Sequence, residues 1–466
     1  MTADMYMLGV DVGSSFLKSS VLDLENMAVE DARIVPTPDF KDISGDRREI
    51  PIAVLAEAVK SLIDQAAAAF PLEGVVLSVQ MHGFMLFRPD GSPVTDYISW
   101  PDMRAARPDS RGRDTADRIR ALVPPELLGE NGITLRNHHS LCPLYQWVLE
   151  EGLEDGVEFA MLGDALTRLI TGRRVPIHPT VAASSGLYSL VKGDWNRPLI
   201  RALGLGKIDF PPVCEGREAV AHYSSSVGEI PVYAAVGDHQ AAVLGTCVGD
   251  DHVIINIGTG GQISYIHNGL SFGEYETRPY FEGRTLRAFT QRPSGRSLNV
   301  LTDFVQDIGE KIFDRGQVTD GEIWKKINLL TQELEKDLDG VDSGLRCDLS
   351  FFDPTAGNGS ISGIGGGNLR VGNLFFSVYA SMAEEYAKSY RRLLPDGCGR
   401  AAGVVCTGGV IRKAPLLKKL LDRCFAVPCQ MAPYGDDAMV GLLRLALWHS
   451  SGRPLCGAQE SVCLKE

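Results

Sequence analysis

The sequence predicts an α/β protein assembled from two related halves. Short apolar runs of strand character alternate with longer helical patterns along the whole chain. The length of 466 residues exceeds one ordinary core, and about 150 residues per domain implies two or three. One pattern recurs about half the chain apart, as VDVGSSFLKSSV at 10–21 and INIGTGGQISYI at 255–266. Both copies run strand, Asp or Asn, one residue, Gly, hydroxyl, small residue and a second strand, as one fold unit used twice would.

Taken in order, residues 5–12, 17–24 and 74–80 read as strands, and 51–70 as a helix with Pro51 in its first turn. An Arg-rich polar stretch from Arg104 to Arg120 ends at Pro124–Pro125. In the second half, 253–257, 262–266 and 403–406 read as strands, while 303–338 and 374–394 read as helices. Residues 355–373 hold seven glycines, which implies a loop with unusual backbone angles. After Leu447 the chain reads as a polar tail.

With 44% hydrophobic and 23% charged residues the composition is globular, and a net charge of −13 argues against nucleic acid as a partner. No basic leader and no apolar run of membrane length is visible, so neither export nor a membrane partner is expected. The ten cysteines form no CxxC zinc pattern and read as free thiols of a cytoplasmic protein.

A strand–turn–strand with Gly and a hydroxyl at its tip exposes backbone N–H groups that suit phosphate oxygens. Gly13, Ser14 and Ser15 form one such turn, and Gly258, Thr259 and Gly260 the other. A hairpin turn alone is the plainer reading of either, but the pairing favours a polyphosphate gripped from both sides. Asp11 beside the first turn is placed to hold Mg²⁺, directly or through water. Lys18 reads either as a phosphate partner or as an exposed strand lysine. Gly408 and Gly409 lie between a strand and a helix, where a nucleoside can approach the backbone or a tight turn is simply needed.

Gln80, Met81 and His82 follow a strand, and Trp100, Asp102 and Arg104 follow in SWPDMR. Fixed polar groups beside an aromatic wall suit a sugar, although a single histidine at a strand end is often structural. In VGDHQAA, Asp238 reads equally as a helix cap or as a general base that takes a proton from an alcohol, with His239 directly behind it.

Together, DVGSSFLK at 11–18, QMHG at 80–83, WPDMR at 100–104, GDHQAA at 237–242, NIGTGGQ at 256–262 and TGG at 407–409 resemble the FGGY carbohydrate kinases. Their order and spacing match across nearly the whole chain. The resemblance implies an actin-like ATPase fold of the ribonuclease-H-like type, with two similar domains around a deep cleft. It implies a sugar-binding domain at 1–236, an ATP-binding domain at 237–466, and ATP and Mg²⁺ as cofactors. Asp238 matches the catalytic base, and Met81 and His82 match sugar contacts.

QMHG resembles the ketose kinases, xylulokinase and sedoheptulokinase, more than glycerol kinase, and GDHQAA and NVLTDFV at 299–305 lean toward sedoheptulokinase. The expected acceptor is therefore sedoheptulose, then D-xylulose or D-ribulose, for a monomer or homodimer. A glycerol or polyol kinase, or an inactive sugar-binding regulator, are the alternatives. The chain departs from the family pattern at TAGNGSISG, where a Gly-Glu-Arg segment is common, at Pro101 and at His239.

Overall fold

The two copies of the repeated pattern fold as two antiparallel hairpins, and each is the centre of its own sheet. The structure, a computed structural model, describes residues 5–41, 45–314, 316, 318–335, 344–350, 358–395, 400–425 and 427–455. Packing divides the chain into two units. The first takes Met1–Val248, Asn268–Thr285 and Asp436–Glu466, and the second takes Gly249–His267 and Leu286–Gly435.

In the first unit the hairpin is β1 (Tyr6–Val12) and β2 (Phe16–Asp23), followed by β3 (Ala28–Pro36), β4 (Leu72–Val79), β5 (Ala221–Ser225), β6 (Gly228–Val232) and β7 (Val236–Gly237). The sheet order is β5-β6-β4-β1-β2-β3, with β7 also on β4. β1 pairs antiparallel with β2, so Asp11 lies opposite Lys18, and parallel with β4, so Asp11 also lies beside Ser78. Because β4 is flanked by parallel partners, it is buried on both faces, and Gly74–Val79 reads as a continuous apolar run broken only by Ser78.

Helix α1 (Ile52–Ala69) covers this sheet. Its buried residues Ile52, Leu55, Ala56, Val59, Leu62, Ile63 and Ala66 recur at helical spacing, and each large one contributes about 1.5–3 kcal/mol on burial. Pro51 precedes this helix at its N-cap, one position earlier than the sequence suggests. Helix α2 (Asp238–Gly245) follows β7 directly and packs with the first unit, although the expected domain boundary precedes it.

The second unit repeats the plan with β8 (His252–Ile257) and β9 (Gly261–Asn268), then β10 (Arg284–Phe289), α3 (Gly295–Phe313), α4 (Asp320–Glu335), α5 (Val371–Leu393), β11 (Gly403–Thr407), α6 (Pro415–Phe425) and β12 (Cys429–Met431). Its strands run β10-β9-β8-β11-β12. β8 pairs antiparallel with β9, setting Asn256 opposite Gln262, and parallel with β11, setting Asn256 beside Thr407.

The single helix expected over 303–338 is two helices. α3 starts at a Ser294 cap and stops where Asp314 turns left-handed at φ 49, and α4 begins at Asp320. Residues 336–338 lie outside the described residues, as do 355–357 of the glycine-rich stretch. At the start of the expected tail after Leu447, α7 (Asp437–Ser451) runs on to Gly452, whose left-handed φ of 72 stops it, and residues 456–466 of that tail lie outside the described residues. Among the described residues no helix is long and apolar enough to cross a membrane.

Candidate active site

Asp238 is the first residue of α2, and Gly237 before it occupies the N-cap position. The Gly237 N–H donates to Thr180 Oγ1 at 3.1 Å, and Thr180 in turn meets His178 Nδ1 at 2.7 Å. That chain fixes the peptide from which the carboxylate projects. Asp238 Oδ1 accepts the N–H of its neighbour His239 at 2.7 Å, and no side-chain cap bond closes the helix, so the side chain is not the cap of its helix. Burial, and after it the charge of Asp11, push the Asp238 carboxyl up to about 7. A half-buried acid that titrates near neutrality is suited to exchanging a proton with an alcohol.

Asp11 is buried and accepts the Ser78 hydroxyl at 2.7 Å. Burial raises its carboxyl, Ser78 and Lys18 partly offset this, and Asp436 raises it further. Asp11, raised by Asp436 and itself raising Asp238, is a carboxylate whose repulsion a divalent cation would relieve. Lys18 is already engaged, since its Nζ lies 3.0 Å from Asp436 Oδ2, and Asp436 also caps α7 through the Met439 N–H. Burial would lower the Lys18 ammonium, but Asp436 raises it, so it stays charged.

A histidine group gathers in the same unit. His82 has a left-handed backbone at φ 70, held because Ser184 engages it twice. The His82 N–H donates to Ser184 Oγ at 3.2 Å, and Nδ1 donates to the Ser184 carbonyl at 2.8 Å. Its Nε2 is therefore a bare acceptor. The ring lies 5.3 Å from that of His138 and 4.9 Å from that of His139. His139 Nδ1 accepts the Arg136 N–H at 3.1 Å, so the proton of that neutral ring sits on Nε2.

The three imidazoles have ligand atoms within 4.8 Å of one another. The Nε2 proton of His139 nonetheless makes the trio a donor and acceptor set in preference to a three-ligand metal site. Burial, helped by neighbouring positive charge, holds His82 at about 3 and His138 at about 4, so both are neutral at pH 7.

His239 is buried, and its Nδ1 accepts from Arg278 Nη1 at 3.2 Å. Arg278 also donates to Glu276 Oε2 at 2.7 Å. Burial alone would raise the Glu276 carboxyl, but Arg278 brings it down to about 2. Met81 is buried with its sulfur against Gly237, where an added Cβ would lie 2.7 Å away. Gln80 braces the first hairpin turn, with Nε2 3.5 Å from the Gly13 carbonyl and Oε1 3.4 Å from Ser99 Oγ. Tyr97 is fully buried over Gly83, where any Cβ would run into its ring, and its hydroxyl has no partner among the described residues.

The expected sugar contacts at Asp102 and Arg104 are turned inward instead. Arg104 is 0% exposed; its Nε donates to Asp102 Oδ1 at 2.7 Å, and its Nη2 to Asp102 Oδ2 at 2.9 Å and Glu49 Oε1 at 2.5 Å. The Asp102 carboxylate also takes the Arg48 N–H at 2.8 Å. Their charges are spent on holding the loop that carries Trp100, which is half-buried.

Both glycine turns differ from a simple row of free N–H groups. The Gly13 N–H donates to Phe16 O at 3.1 Å and the Gly258 N–H to Gly260 O at 3.0 Å, closing each turn on itself. Ser14, Ser15, Thr259 and Gly260 are the exposed positions. The second turn is braced from behind, because the Gly258 and Thr259 carbonyls accept from the Gly295 N–H at 3.0 Å and Ser294 Oγ at 2.8 Å. Gly408 has φ 100, and a Cβ there would come within 2.7 Å of Asn256 Oδ1, so glycine is required where β8 and β11 close together.

Beside this turn the second unit holds a cavity of about 850 Å³ lined by Gly258, Thr259, Gly409, Asn299, Lys325, Asn328, Gln332, Tyr379 and Lys413. This is the size of a small-molecule site. Glycine turns, amides and two lysines against one acid, Asp320, fit a nucleoside polyphosphate.

Tyr97, Thr180, Glu276, Arg278 and the His138–His139 pair are the groups that sequence reasoning missed. Only the doublet NHH at 137–139 carried a visible signal.

The N-terminal domain of the FGGY family of carbohydrate kinases matches residues 6–245, and the chain belongs to that family. A glycerol kinase of Methylibium petroleiphilum is 27% identical over 261 residues, 52% of this chain and 50% of that kinase. A xylulose kinase of Staphylococcus xylosus is 22% identical over 59% of this chain and 58% of that kinase. The chain thus spans about half the length of the curated relatives it matches. The crystal structure of a ligand-bound xylulose kinase from Lactobacillus acidophilus superposes with a TM-score of 0.79 at 17% identity, covering 97% of this chain and 91% of that one. The fold is the two-domain actin-like ATPase fold that the sequence predicts.

Proposed function

We propose that this member of the FGGY family of carbohydrate kinases transfers the γ-phosphoryl group of ATP to a hydroxyl of a polyhydroxy acceptor. The observation that carries this is Asp238, a fixed carboxylate at the start of a helix whose pKa is lifted to about 7. Its carboxylate takes the proton of the acceptor hydroxyl, the oxygen bonds to the γ-phosphorus, and the bond to the ADP oxygen breaks. Mg²⁺, held by Asp11, would neutralise charge on the phosphates. Thr259, Gly260, Gly408 and Gly409 of the second unit bind the nucleotide, and Ser14 and Ser15 of the first offer the same kind of turn.

Neutral His82, with Met81, His239 and Trp100, receives the acceptor, and Gln80, Asp102 and Arg104 hold the two loops in place. We infer a ketose, sedoheptulose before D-xylulose or D-ribulose, acted on in the cytosol. The His82 Nε2 acceptor supports this, because QMHG is the feature that leans toward the ketose branch. Glycerol is the second reading, favoured by the glycerol kinase among the relatives. A silent regulator would have no use for Asp11 and Asp238 together.

ADP release with Mg²⁺-ATP, measured for sedoheptulose, D-xylulose, D-ribulose, glycerol and no acceptor, tests the proposal. One acceptor should raise release far above the blank. Acceptor binding without release above the blank would refute the kinase.

A further inference from the structure

Asp238 and His82, the base and the acceptor contact of the proposed reaction, are both tied to one short segment. A helix over Pro179–Ala182 runs into a tighter turn over Ala183–Ser185, and Gly186, left-handed at φ 79, ends it. Thr180 and Ser184 are one helical turn apart, so they share a face of the segment.

Their buried hydroxyls are used alike. Thr180 Oγ1 accepts the Gly237 N–H at 3.1 Å and donates to His178 Nδ1 at 2.7 Å. Ser184 Oγ accepts the His82 N–H at 3.2 Å and donates to the Val181 carbonyl at 2.8 Å. Each hydroxyl thus takes an N–H from the site and returns its own proton to the segment or to its cap, His178. The direction of the first bond is fixed, because His178 Nδ1 also accepts the Thr180 N–H at 3.2 Å. Burial holds His178 down at about 3, so Nδ1 remains an acceptor at neutral pH.

The sheet does not supply this registration. β4 and β7 pair only as far as Val79 and Gly237, short of both His82 and Asp238. Gly237 has little room to settle elsewhere, since a Cβ on it would lie 2.5 Å from Gln240 Oε1 and 2.7 Å from Met81 Sδ.

We propose that Thr180 and Ser184 are paired positioning residues, which set the Asp238 carboxylate in place relative to His82 across one turn of helix. The inference rests on the kinase reading. It adds that the base and the acceptor contact are located by a common brace.

ADP release with Mg²⁺-ATP and each of sedoheptulose, D-xylulose, D-ribulose and glycerol tests it, on wild type, Thr180→Val, Thr180→Ser, Ser184→Ala and the Thr180→Val/Ser184→Ala double variant. Thr180→Val should lower kcat about tenfold or more while the acceptor KM stays within about threefold, because a small displacement of the base costs rate before binding. Thr180→Ser keeps the hydroxyl and should return kcat to within about threefold of wild type. Thr180→Cys, whose thiol accepts weakly, takes the place of valine should that variant not fold. Ser184→Ala should lower kcat/KM about fivefold, the size of one ordinary hydrogen bond. The double variant should lose less in kcat/KM than the product of the two single losses. A kcat of Thr180→Val within about twofold of wild type, a Thr180→Ser as slow as Thr180→Val, or single losses that simply multiply would each overturn the inference. If wild type releases no ADP above the blank with any acceptor, the kinase reading falls and takes this one with it. If wild type turns over and Thr180→Val matches it, this one falls alone.

Discussion

The two hairpins share a backbone plan and differ in charge. In the first, Asp11 stands opposite Lys18 and beside Ser78. In the second, Asn256 stands opposite Gln262 and beside Thr407, at the corresponding places. The scaffold is kept, hydroxyl included, while two oppositely charged cross-strand residues become two neutral amides. The segments after the parallel strands diverge in the same sense, since QMHG follows Ser78 by one residue whereas the second unit turns at once through Gly408–Gly409. Among the described residues the buried acids and histidines all belong to the first unit, and the second offers backbone, amides, two lysines and space. A reaction that moves a proton in one place and holds a polyanion in another needs that division.

The comparison can be broken hardest at the buried charge of the first unit. Arg104→Met leaves Asp102 and Glu49 without their cation, and should cost about 3–5 kcal/mol in urea unfolding. A loss under 1 kcal/mol would mean that the pair does not hold the loop.

Next is Asp11→Asn, which gives the first hairpin the chemistry of the second. Turnover should fall about 100-fold or more, with no loss of stability because a buried carboxylate is removed. Turnover close to wild type would show that the difference between the hairpins is not functional.

The pH profile follows in size. Asp238 acts as a base only when ionised, and its carboxyl is raised to about 7. So kcat/KM should rise about tenfold per pH unit below 7 and level off above it. A flat profile from pH 5 to 8 would contradict this. Smallest is Lys18→Met, since the pair with Asp436 is part-exposed and worth about 0–1 kcal/mol.

How far this division could be read in the sequence depends on whether each feature is local. The hairpins were legible because Asp or Asn, Gly and a hydroxyl recur at fixed places between apolar runs. The break between α3 and α4 was not, because Asp314 turns left-handed without a Gly or Pro to signal it. Of the site, Asp238 and His239 fall in the first unit with Met81 and His82, whereas the boundary expected at 236/237 sets the two pairs in different domains. Glu276 and Arg278 reach His239 through tertiary packing alone, and nothing in ETRP marks them. Asp102 and Arg104 were visible as charged residues near an aromatic, yet only the structure shows that they bind each other.

The central claim is that Asp238 removes the acceptor proton, and the direct measurement is single-turnover phosphoryl transfer by Asp238→Asn beside calorimetric binding of the acceptor. The account predicts a fall in the rate of about 1,000-fold or more with acceptor affinity kept within a few-fold. A rate within tenfold of wild type, with binding intact, would contradict it.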